Sequence, residues 1–436
     1  MADEAKRPES SIPAANSNTA SSAVSGDPGI IELQEGVLPV LQPKRNYAVL
    51  AITKHGVELA RRLQDAFPAA DVYYMSKFAR GDEAERGIRL FSGSVRMLYP
   101  ALFPAYHGII SIISLGAVVR MIAPLLQDKK KDPGIVVIDD RGENVISVLS
   151  GHLGGANELT REVAAALDAR AIITTASDVQ KTIAVDLFGR RFGWVWESAD
   201  KLTPVSASVV NEERVAVVQE SGERNWWHLD TPLPPNIHVY DTIGAALQEP
   251  PHGALVVTHR ELAPHEEAIL ANGVLYRPKV IVLGIGCNRG TPAEEIEAVI
   301  AETLGELRFS IRSVKAVCTI DLKKDEEGLL AVCGKYGWPL ECYTPAELNE
   351  MEIEAPSETV FKFTGAYGVS EPAVKRYTGE NHLVLTKKKS GNVTISVGLL
   401  SFPEVQAAEQ TSGMNETAAA PAPVSISGGM AAGGRS

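Results

Sequence analysis

The chain has 436 residues, a formal net charge of −12 at neutral pH, 45% hydrophobic residues and 22% charged residues. This composition is typical of a globular protein of several domains, and the negative charge argues against nonspecific nucleic-acid binding. No apolar run reaches the ~20 residues that span a bilayer, the N-terminus has no apolar signal core, and the four cysteines form no CxxC pair. The sequence therefore predicts a cytoplasmic, multidomain enzyme with neither a disulfide framework nor a zinc site.

The folded part is predicted to lie between two disordered tails. These tails, residues 1–44 and 403–436, are rich in small and polar residues and show no periodicity. Between 45 and 195, apolar strands alternate with amphipathic helices, which is typical of an α/β domain with a parallel sheet covered on both faces. Residues 196–278 hold short β-like runs and a proline-rich connector, which predicts a small β-rich middle module and linker. Over residues 279–402, apolar strands again alternate with helices, which predicts a second α/β domain.

The most informative segment is the string SGHLGGAN at 150–157, which follows an apolar strand and precedes a helix. Its glycines let the backbone approach a ligand, and the helix N-terminus offers N–H groups to an anion. His152 lies in the turn and is a candidate base near neutral pH. The alternative is a tight turn whose histidine and asparagine satisfy backbone groups. The predicted substrate-binding residues of the loop are Gly151, Gly154, Gly155 and Asn157.

Charged and hydroxyl side chains near other strands are further candidates. Asp139 and Asp140 follow the strand IVVID, where adjacent carboxylates either serve acid–base chemistry or form a solvated β-turn. Arg120 is a single charge in the apolar run GAVVRMIAP and binds either a substrate carboxylate or an internal partner. The string ITTASD ends a strand, and ligands collect at the carboxyl ends of strands in open α/β sheets. The residues expected to line a pocket there, rather than to cap a turn, are Thr174, Thr175 and Asp178.

The string GIGCNRGT at 284–291 is a second junction of strand, glycine loop and helix. Asn288, Arg289 and Thr291 are candidates for binding a substrate carboxylate at this helix N-terminus. Cys287 is disfavoured as a nucleophile, because no histidine is near it in sequence and small buried cysteines are common.

Several of these strings occur together in the order found in one known family. They are GAVVRMIAPLLQDKKKDPGIVVIDDRGENVISVLSGHLGGANELTREVA, ITTASD, GIGCNRGTPAEEI, TIDLKKDEEGLL and GVSEPA. In this combination the chain resembles the cobalt-precorrin-5A hydrolases of anaerobic cobalamin biosynthesis. The resemblance covers nearly all of the predicted folded part, and only the two tails lie outside it.

The resemblance implies an enzyme that opens the δ-lactone of cobalt-precorrin-5A with water and then releases a two-carbon fragment as acetaldehyde, giving cobalt-precorrin-5B. The cobalt is carried by the substrate, so neither a cofactor nor a protein metal site is expected. The implied partners are the cobalt-corrinoid substrate and neighbouring enzymes of the cobalamin pathway, with no nucleic acid and no membrane.

Lactone hydrolysis needs a base that activates water and donors that hold the developing oxyanion. His152 is the predicted base for both steps, with Asp140 or Glu158 as the carboxylate that orients its imidazole. These roles are inferred from the residues themselves, since the resemblance implies none of them.

Two other functions stay open at the level of sequence. One is a phosphate- or nucleotide-dependent transferase that uses the SGHLGGAN loop as a phosphate cradle, although the loop lacks the lysine that ends a Walker A motif. The other is a non-catalytic carrier that holds a tetrapyrrole between biosynthetic enzymes. ATP binding would indicate the first, and corrinoid binding without acetaldehyde release would indicate the second.

Overall fold

The computed structural model of the protein describes residues 29–402. The predicted disorder of residues 1–28 and 403–436 therefore concerns segments that lie outside the described residues. Within 29–402, no helix is long and apolar enough to cross a membrane.

The chain divides into two compact units. Among the described residues, the first unit holds residues 29–220 together with Leu229–Arg277, and thus includes both the N-terminal domain and the middle module. The second unit holds Ser221–His228 together with residues 278–402.

The N-terminal domain alternates strands and helices, as its sequence predicts. Its strands are β1 (Ile30–Glu32), β2 (Tyr47–Ala51), β3 (Ala70–Met75), β4 (Arg89–Ser92), β5 (Gly108–Ile112), β6 (Gly134–Ile138), β7 (Asn144–Leu149) and β8 (Arg170–Ile172). Its helices are α1 (Lys54–Ala66), α2 (Glu83–Arg86), α3 (Tyr99–Ala105), α4 (Leu115–Ile122), α5 (Ala156–Leu167) and α6 (Ala176–Gln180).

One eight-stranded sheet organises this domain, in the order β1-β4-β3-β2-β5-β6-β7-β8. The strands from β1 to β6 are parallel, and β7 and β8 run in the opposite direction, parallel to each other. Helices cover both faces, because fully apolar strands must be buried on both sides. Val57 of α1 and Val163 of α5 pack on one face, and Leu102 of α3 and Val118 of α4 pack on the other.

A tight hairpin between β6 and β7 reverses the direction of the sheet. The Asp139 carboxylate accepts hydrogen bonds from the backbone N–H groups of Arg141 at 2.9 Å and Asn144 at 2.7 Å. Gly142 takes a left-handed φ of 70°, which glycine adopts without steric cost. So short a connection can join only antiparallel strands. For Asp139, the structure therefore agrees with the solvated turn and not with acid–base chemistry.

The ordered chain begins before residue 45, where the sequence prediction placed the start of the N-terminal domain. β1 pairs with β4 at the edge of the sheet, and Leu33 is buried. The backbone N–H of Lys44 donates to Asp71 at 2.8 Å. A strand of three residues is too short to show periodicity, so only its pairing with β4 reveals it.

Removal of residues 1–43 is expected to lower the melting temperature by several degrees, because it takes away the partner of β4 and the side chain of Leu33. Burial of one such side chain contributes about 1.5–3 kcal/mol, and 1 kcal/mol shifts the melting temperature of a domain of this size by about 2–4 °C. Thermal unfolding of the chain that lacks residues 1–43 is compared with that of a chain that lacks only residues 1–28. Equal melting temperatures for the two truncated chains contradict the expectation.

The middle module, which the sequence predicts to be small and β-rich, has five strands and two α-helices among its described residues. Its strands are β9 (Val195–Trp196), β10 (Val215–Gln219), β11 (Ile237–Tyr240), β12 (Gly253–Val257) and β13 (Gly273–Arg277), and its helices are α7 (Leu202–Val210) and α8 (Ile243–Leu247). The sheet order is β11-β10-β12-β13-β9, with only β9 antiparallel to its neighbour. The stretch predicted to be partly linker thus carries β13.

The second unit contains the other α/β sheet, in the region where the sequence predicts it. Its strands are β14 (Ile281–Cys287), β15 (Val314–Ile320), β16 (Leu340–Tyr343), β17 (Leu385–Ser390) and β18 (Val393–Leu399). Its helices are α9 (Ala293–Leu307), α10 (Glu327–Tyr336), α11 (Pro345–Asn349), α12 (Glu358–Thr364) and α13 (Ser370–Thr378). The order is β16-β15-β14-β18-β17, and β18 is antiparallel to both neighbours.

Candidate functional site

Two of the strings singled out in the sequence meet at one edge of the N-terminal sheet. β7 and β8 are parallel neighbours, so their carboxyl ends lie at the same edge. The loop that follows β7 carries His152, and the segment that follows β8 carries Thr175 and Asp178. Hydrogen bonds join the two, and the fold thereby unites SGHLGGAN with ITTASD. The resulting His152 cluster consists of His152, Asn157, Thr175, Asp178 and Asp186.

The imidazole of His152 lies between two carboxylates. Its Nδ1 is 2.9 Å from Asp186 Oδ1, and its Nε2 is 3.0 Å from Asp178 Oδ2. The hydrogen bonds to Asp178 and to Asp186 raise the pKa of His152 from 6.5 to about 9, against the opposing effect of burial. The ring is therefore a protonated imidazolium at neutral pH. A protonated imidazole has no lone pair with which to accept a proton, so this arrangement favours a role for His152 other than the predicted base near neutral pH.

Asn157 fixes the loop to its surroundings from the first turn of α5. The residue is buried, and its side-chain oxygen accepts from the Ser147 hydroxyl at 2.7 Å. Its amide nitrogen donates to Thr175 Oγ1 at 2.8 Å and to Asp178 Oδ2 at 2.9 Å. A Cβ on Gly151 would lie 2.7 Å from this amide, so the loop approaches Asn157 closely only with glycine there. The amide is engaged inside the protein, which favours the internal, turn-forming interpretation for Asn157.

The backbone N–H groups of the loop fall into two sets. Those of residues 155–157, at the start of α5, donate to carbonyls of the loop itself at 2.9–3.2 Å. Gly155 is therefore not available as a donor to a ligand. In the second set, the N–H groups of His152, Leu153 and Gly154 find no acceptor among the described residues. These adjacent donors lie beside the imidazolium and suit an oxyanion.

The two carboxylates on either side of His152 differ in how fully they are bound. Asp178 Oδ1 accepts from Arg161, and Oδ2 accepts from both His152 and Asn157. The hydrogen bond from His152 is the main cause that lowers the pKa of Asp178. Asp186 is held by His152 through Oδ1 alone, and no described residue binds its Oδ2.

Asp186 is the polar residue of the cluster that the sequence analysis missed. It lies between α6 and β9, far along the chain from the SGHLGGAN string, and belongs to none of the strings singled out. A signal was present, because Asp186 is a lone carboxylate in the apolar run IAVDLF. The same kind of signal, a single charge in an apolar run, singled out Arg120.

A basic rim lies beside the loop. The turn before β6 touches the loop, since a Cβ on Gly154 would be 3.2 Å from the carbonyl oxygen of Asp132. On the other side of the loop, the guanidinium of Arg190 donates to the carbonyl of Leu153 at 3.4 Å. The basic rim consists of Lys129, Lys130, Lys131 and Arg190. All four side chains are exposed, and none has a carboxylate within ion-pair distance in the described part of the chain.

The two carboxylates predicted to orient His152 lie elsewhere. Asp140 accepts from the Thr53 hydroxyl at 2.5 Å and lies 3.2 Å from the Nδ1 of His55. Because β7 runs antiparallel to β6, the end of β6 lies at the opposite edge of the sheet from the His152 loop. The five residues of β6 separate those edges by about 17 Å. Glu158 is exposed on α5 and makes no hydrogen bond to His152.

Two further predicted binding residues stay outside the His152 cluster. Arg120 is exposed on α4 and donates to the carbonyl of Gly116, one turn earlier in the same helix, at 3.0 Å. No described carboxylate pairs with it, so the alternative of an internal ion pair is not seen. Thr174 is exposed between β8 and α6.

In the second unit, the protein's own carboxylates occupy the GCNRGT loop. Arg289 donates to Asp325 at 2.7 Å, and the buried Glu326 accepts from the backbone N–H of Gly290 at 2.6 Å. Thr291 donates its hydroxyl to the carbonyl of Asn288 at 2.8 Å. Arg289 and Thr291, predicted to bind a substrate carboxylate, are thus engaged internally. The Asn288 amide likewise donates to Asn392 at 2.8 Å, and burial raises the pKa of the Cys287 thiol.

Comparisons with known proteins place this chain among proteins of cobalamin synthesis. Residues 98–178 match the family model for the N-terminal part of cobalamin synthesis G, 183–278 match the central region of cobalamin biosynthesis, and 281–398 match the C-terminus of cobalamin synthesis G. A cobalt-precorrin-5A hydrolase from Priestia megaterium is 68% identical over 373 residues, which cover 86% of this chain and 100% of that protein.

More distant relatives bear related names. A cobalt-precorrin-5A hydrolase from Salmonella typhimurium is 33% identical over 360 residues, covering 81% of this chain and 97% of the relative. Among solved structures, a cobalamin biosynthesis protein G homolog from Sulfolobus solfataricus is 20% identical, with a TM-score of 0.32. That match covers 82% of this chain and 98% of the homolog.

Proposed function

The chain belongs to the cobalt-precorrin-5A hydrolase family, and from this premise we propose that it acts on its substrate at the His152 cluster. As a member of this family the chain is an enzyme of cobalamin biosynthesis, and its substrate is a cobalt-precorrin. One observation carries the placement of the reaction: two separate strings meet in a half-buried polar cluster beside backbone donors that no described residue binds.

The cluster supplies the electrostatic part of a lactone hydrolysis. When water attacks the lactone carbonyl, negative charge develops on the carbonyl oxygen, and oriented N–H donors stabilise it. The N–H groups of Leu153 and Gly154 are suitable donors, and the adjacent imidazolium of His152 offsets part of the negative charge of the two carboxylates beside them. His152 therefore serves as a positioning residue and not as the base, since both of its N–H groups are held by carboxylates.

The basic rim supplies the attraction for the substrate. A corrinoid intermediate carries several acetate and propionate carboxylates, whereas the chain has a net charge of −12. Long-range attraction must therefore come from a local group of cations that no described carboxylate neutralises. The three lysines before β6 and Arg190 form such a group next to the loop. The cobalt enters with the substrate in this proposal, and the chain uses no cofactor of its own.

Incubation of the purified full-length chain with cobalt-precorrin-5A tests the function. We expect one equivalent of acetaldehyde per corrinoid converted and a product that lacks the lactone. A carrier would bind the corrinoid and release no acetaldehyde, and that result contradicts the proposal. A thermal shift with ATP in place of the corrinoid would instead support the transferase.

The double substitution Lys129→Glu and Lys131→Glu is expected to raise KM about tenfold or more with little change in kcat, because each exposed charge contributes to attraction and not to chemistry. Steady-state acetaldehyde release at low and high salt measures the effect, which shrinks as salt screens the charges. The matched control is Lys387→Glu with Lys389→Glu on β17, which changes the net charge equally. An equal rise in KM for both double variants contradicts a local role for the rim.

A further inference from the structure

We infer that Asp186 is the general base of the reaction, an inference that rests on the proposed function of the His152 cluster. Its Oδ1 lies 2.9 Å from the Nδ1 of His152, and its Oδ2 is bound by no described residue. The side chain is 23% exposed, so water reaches it. Asp186 therefore combines an oriented carboxylate with a free oxygen, which a base needs in order to take a proton from a water molecule.

Asp178 and Asp186 bind the same imidazolium, but only Asp186 has a carboxylate oxygen that no described residue occupies. Three donors, from His152, Asn157 and Arg161, occupy both oxygens of Asp178. A carboxylate in that state would have to break a hydrogen bond before it accepted a proton. Asp186 has to break none, because its single bond to His152 uses the other oxygen.

The backbone around Asp186 is anchored tightly enough to fix the carboxylate. Val185 is 1% exposed, and its carbonyl accepts a hydrogen bond from the hydroxyl of Tyr276 at 2.6 Å. Phe188 is also buried, and its ring packs edge-on against Tyr276 with centroids 5.1 Å apart. Asp186 is thus held from two sides, by the imidazolium through its side chain and by β13 of the middle module through its backbone.

The free oxygen of Asp186 accounts for both proton abstractions of the reaction, one in each step. In the first step Asp186 takes a proton from water while the water oxygen bonds to the lactone carbonyl carbon. The ring C–O bond then breaks, and Asp186 returns the proton to the departing alkoxide. In the second step Asp186 takes the proton of the freed hydroxyl, and the C–C bond breaks to release acetaldehyde. The electron pair of that bond passes to the macrocycle, which regains the proton, so no oxidant or reductant is needed.

Paired amide substitutions at the two carboxylates test this inference. Asp186→Asn keeps an acceptor for His152 but cannot take up a proton, and we expect kcat for acetaldehyde release to fall about 10²–10⁴-fold with KM nearly unchanged. Asp178→Asn is the matched control, since it removes one negative charge from the same imidazolium. We expect it to lower kcat by less than about tenfold, the effect of one weakened hydrogen bond.

The readouts separate a catalytic role from a structural one. Both substitutions are expected to lower the pKa of His152, which NMR follows, and rates compared at a pH where His152 has the same charge in both variants exclude that charge as the source of a difference in kcat. Equal losses of kcat in the two variants, or an Asp186→Asn variant with more than about a tenth of wild-type kcat, overturn the inference. If Asp186→Asn fails to fold, Asp186→Glu provides the test instead. Measurable turnover by the folded Asp186→Glu variant supports a carboxylate base at this position, and the absence of turnover overturns the inference.

Failure of this inference is distinguishable from failure of the proposed function. If the wild-type chain releases no acetaldehyde, both are overturned. If the wild type and Asp186→Asn release it at similar rates, only the assignment of the base is overturned, and the function stands.

Discussion

Replacement of His152 by glutamine is expected to lower the melting temperature and to reduce acetaldehyde release by on the order of 10²-fold or more. Glutamine is neutral, so the carboxylates of Asp178 and Asp186 lose the cation between them and repel each other. Asp186 then loses its orientation, and a displacement of about 1 Å in a catalytic group costs about 10²-fold in rate. Thermal unfolding and single-turnover kinetics on the same preparation measure the two effects, and chemical denaturation gives the free energy of unfolding.

The pH dependence of this effect has a definite sign. The pKa of His152 is raised from 6.5 in the unfolded chain to about 9 in the folded chain. The stabilisation is therefore fully present below pH 6.5 and is lost as pH rises through about 9. A shift of this size corresponds to about 3 kcal/mol of unfolding free energy. The difference in stability between wild type and His152→Gln is thus expected to be largest at pH 6, to shrink between pH 6.5 and about 9, and to be nearly absent at higher pH.

The exposed His238 on β11 provides the matched control, because its imidazole makes no hydrogen bond to any side chain or carbonyl in the described part of the chain. His238→Gln is expected to leave both the melting temperature and the turnover at the wild-type level. A His152→Gln variant with wild-type stability at pH 6 would show that the imidazole is not clamped as the structure describes.

Replacement of Gly154 by alanine is expected to destabilise the protein by about 1–3 kcal/mol and to reduce turnover by about 10²-fold. The added Cβ would lie 2.3 Å from the Cβ of Ser150 and 2.8 Å from its carbonyl oxygen. Neither atom belongs to the flexible end of a side chain, so the loop itself must open. Opening displaces both the backbone donors and His152, and the measurements are thermal unfolding and acetaldehyde release.

Gly244→Ala is the control for this substitution. Gly244 lies in helix α8, and a Cβ there would meet no atom within 4 Å. Alanine in a helix is favoured over glycine by about 0.5–1 kcal/mol, so this variant is expected to be as stable as the wild type or more so. If Gly154→Ala behaved like Gly244→Ala, the loop would not be packed as tightly as the structure describes.

Local signals predicted much of the fold and part of the site. The apolar strand predicted before the SGHLGGAN string and the helix predicted after it correspond to β7 and α5. The same signals identified the SGHLGGAN and ITTASD strings, which the fold brings together. Such patterns are readable because each depends on neighbours only a few residues away along the chain.

The partners of His152 could not be predicted, because they depend on strand direction and on contacts distant in sequence. Asp140 is near His152 in sequence, but the reversal between β6 and β7 carries it to the opposite edge, where it meets His55. Asp186 is 34 residues from His152 and supplies one of the two carboxylates. The pKa of an imidazole follows from its neighbours in space, so the sequence alone could not indicate that two carboxylates raise the pKa of His152.

The pH dependence of single-turnover acetaldehyde release by the wild-type chain tests the central claim most directly. The claim is that His152 acts as a clamped imidazolium, with a pKa of about 9, that positions the catalytic groups. The measured rates, corrected for protein-free lactone opening at each pH, are predicted to stay level through neutral pH and to fall as pH rises through about 9. Rates that instead climb through pH 9 to a plateau would mean that the neutral imidazole is the base, and they would contradict the account.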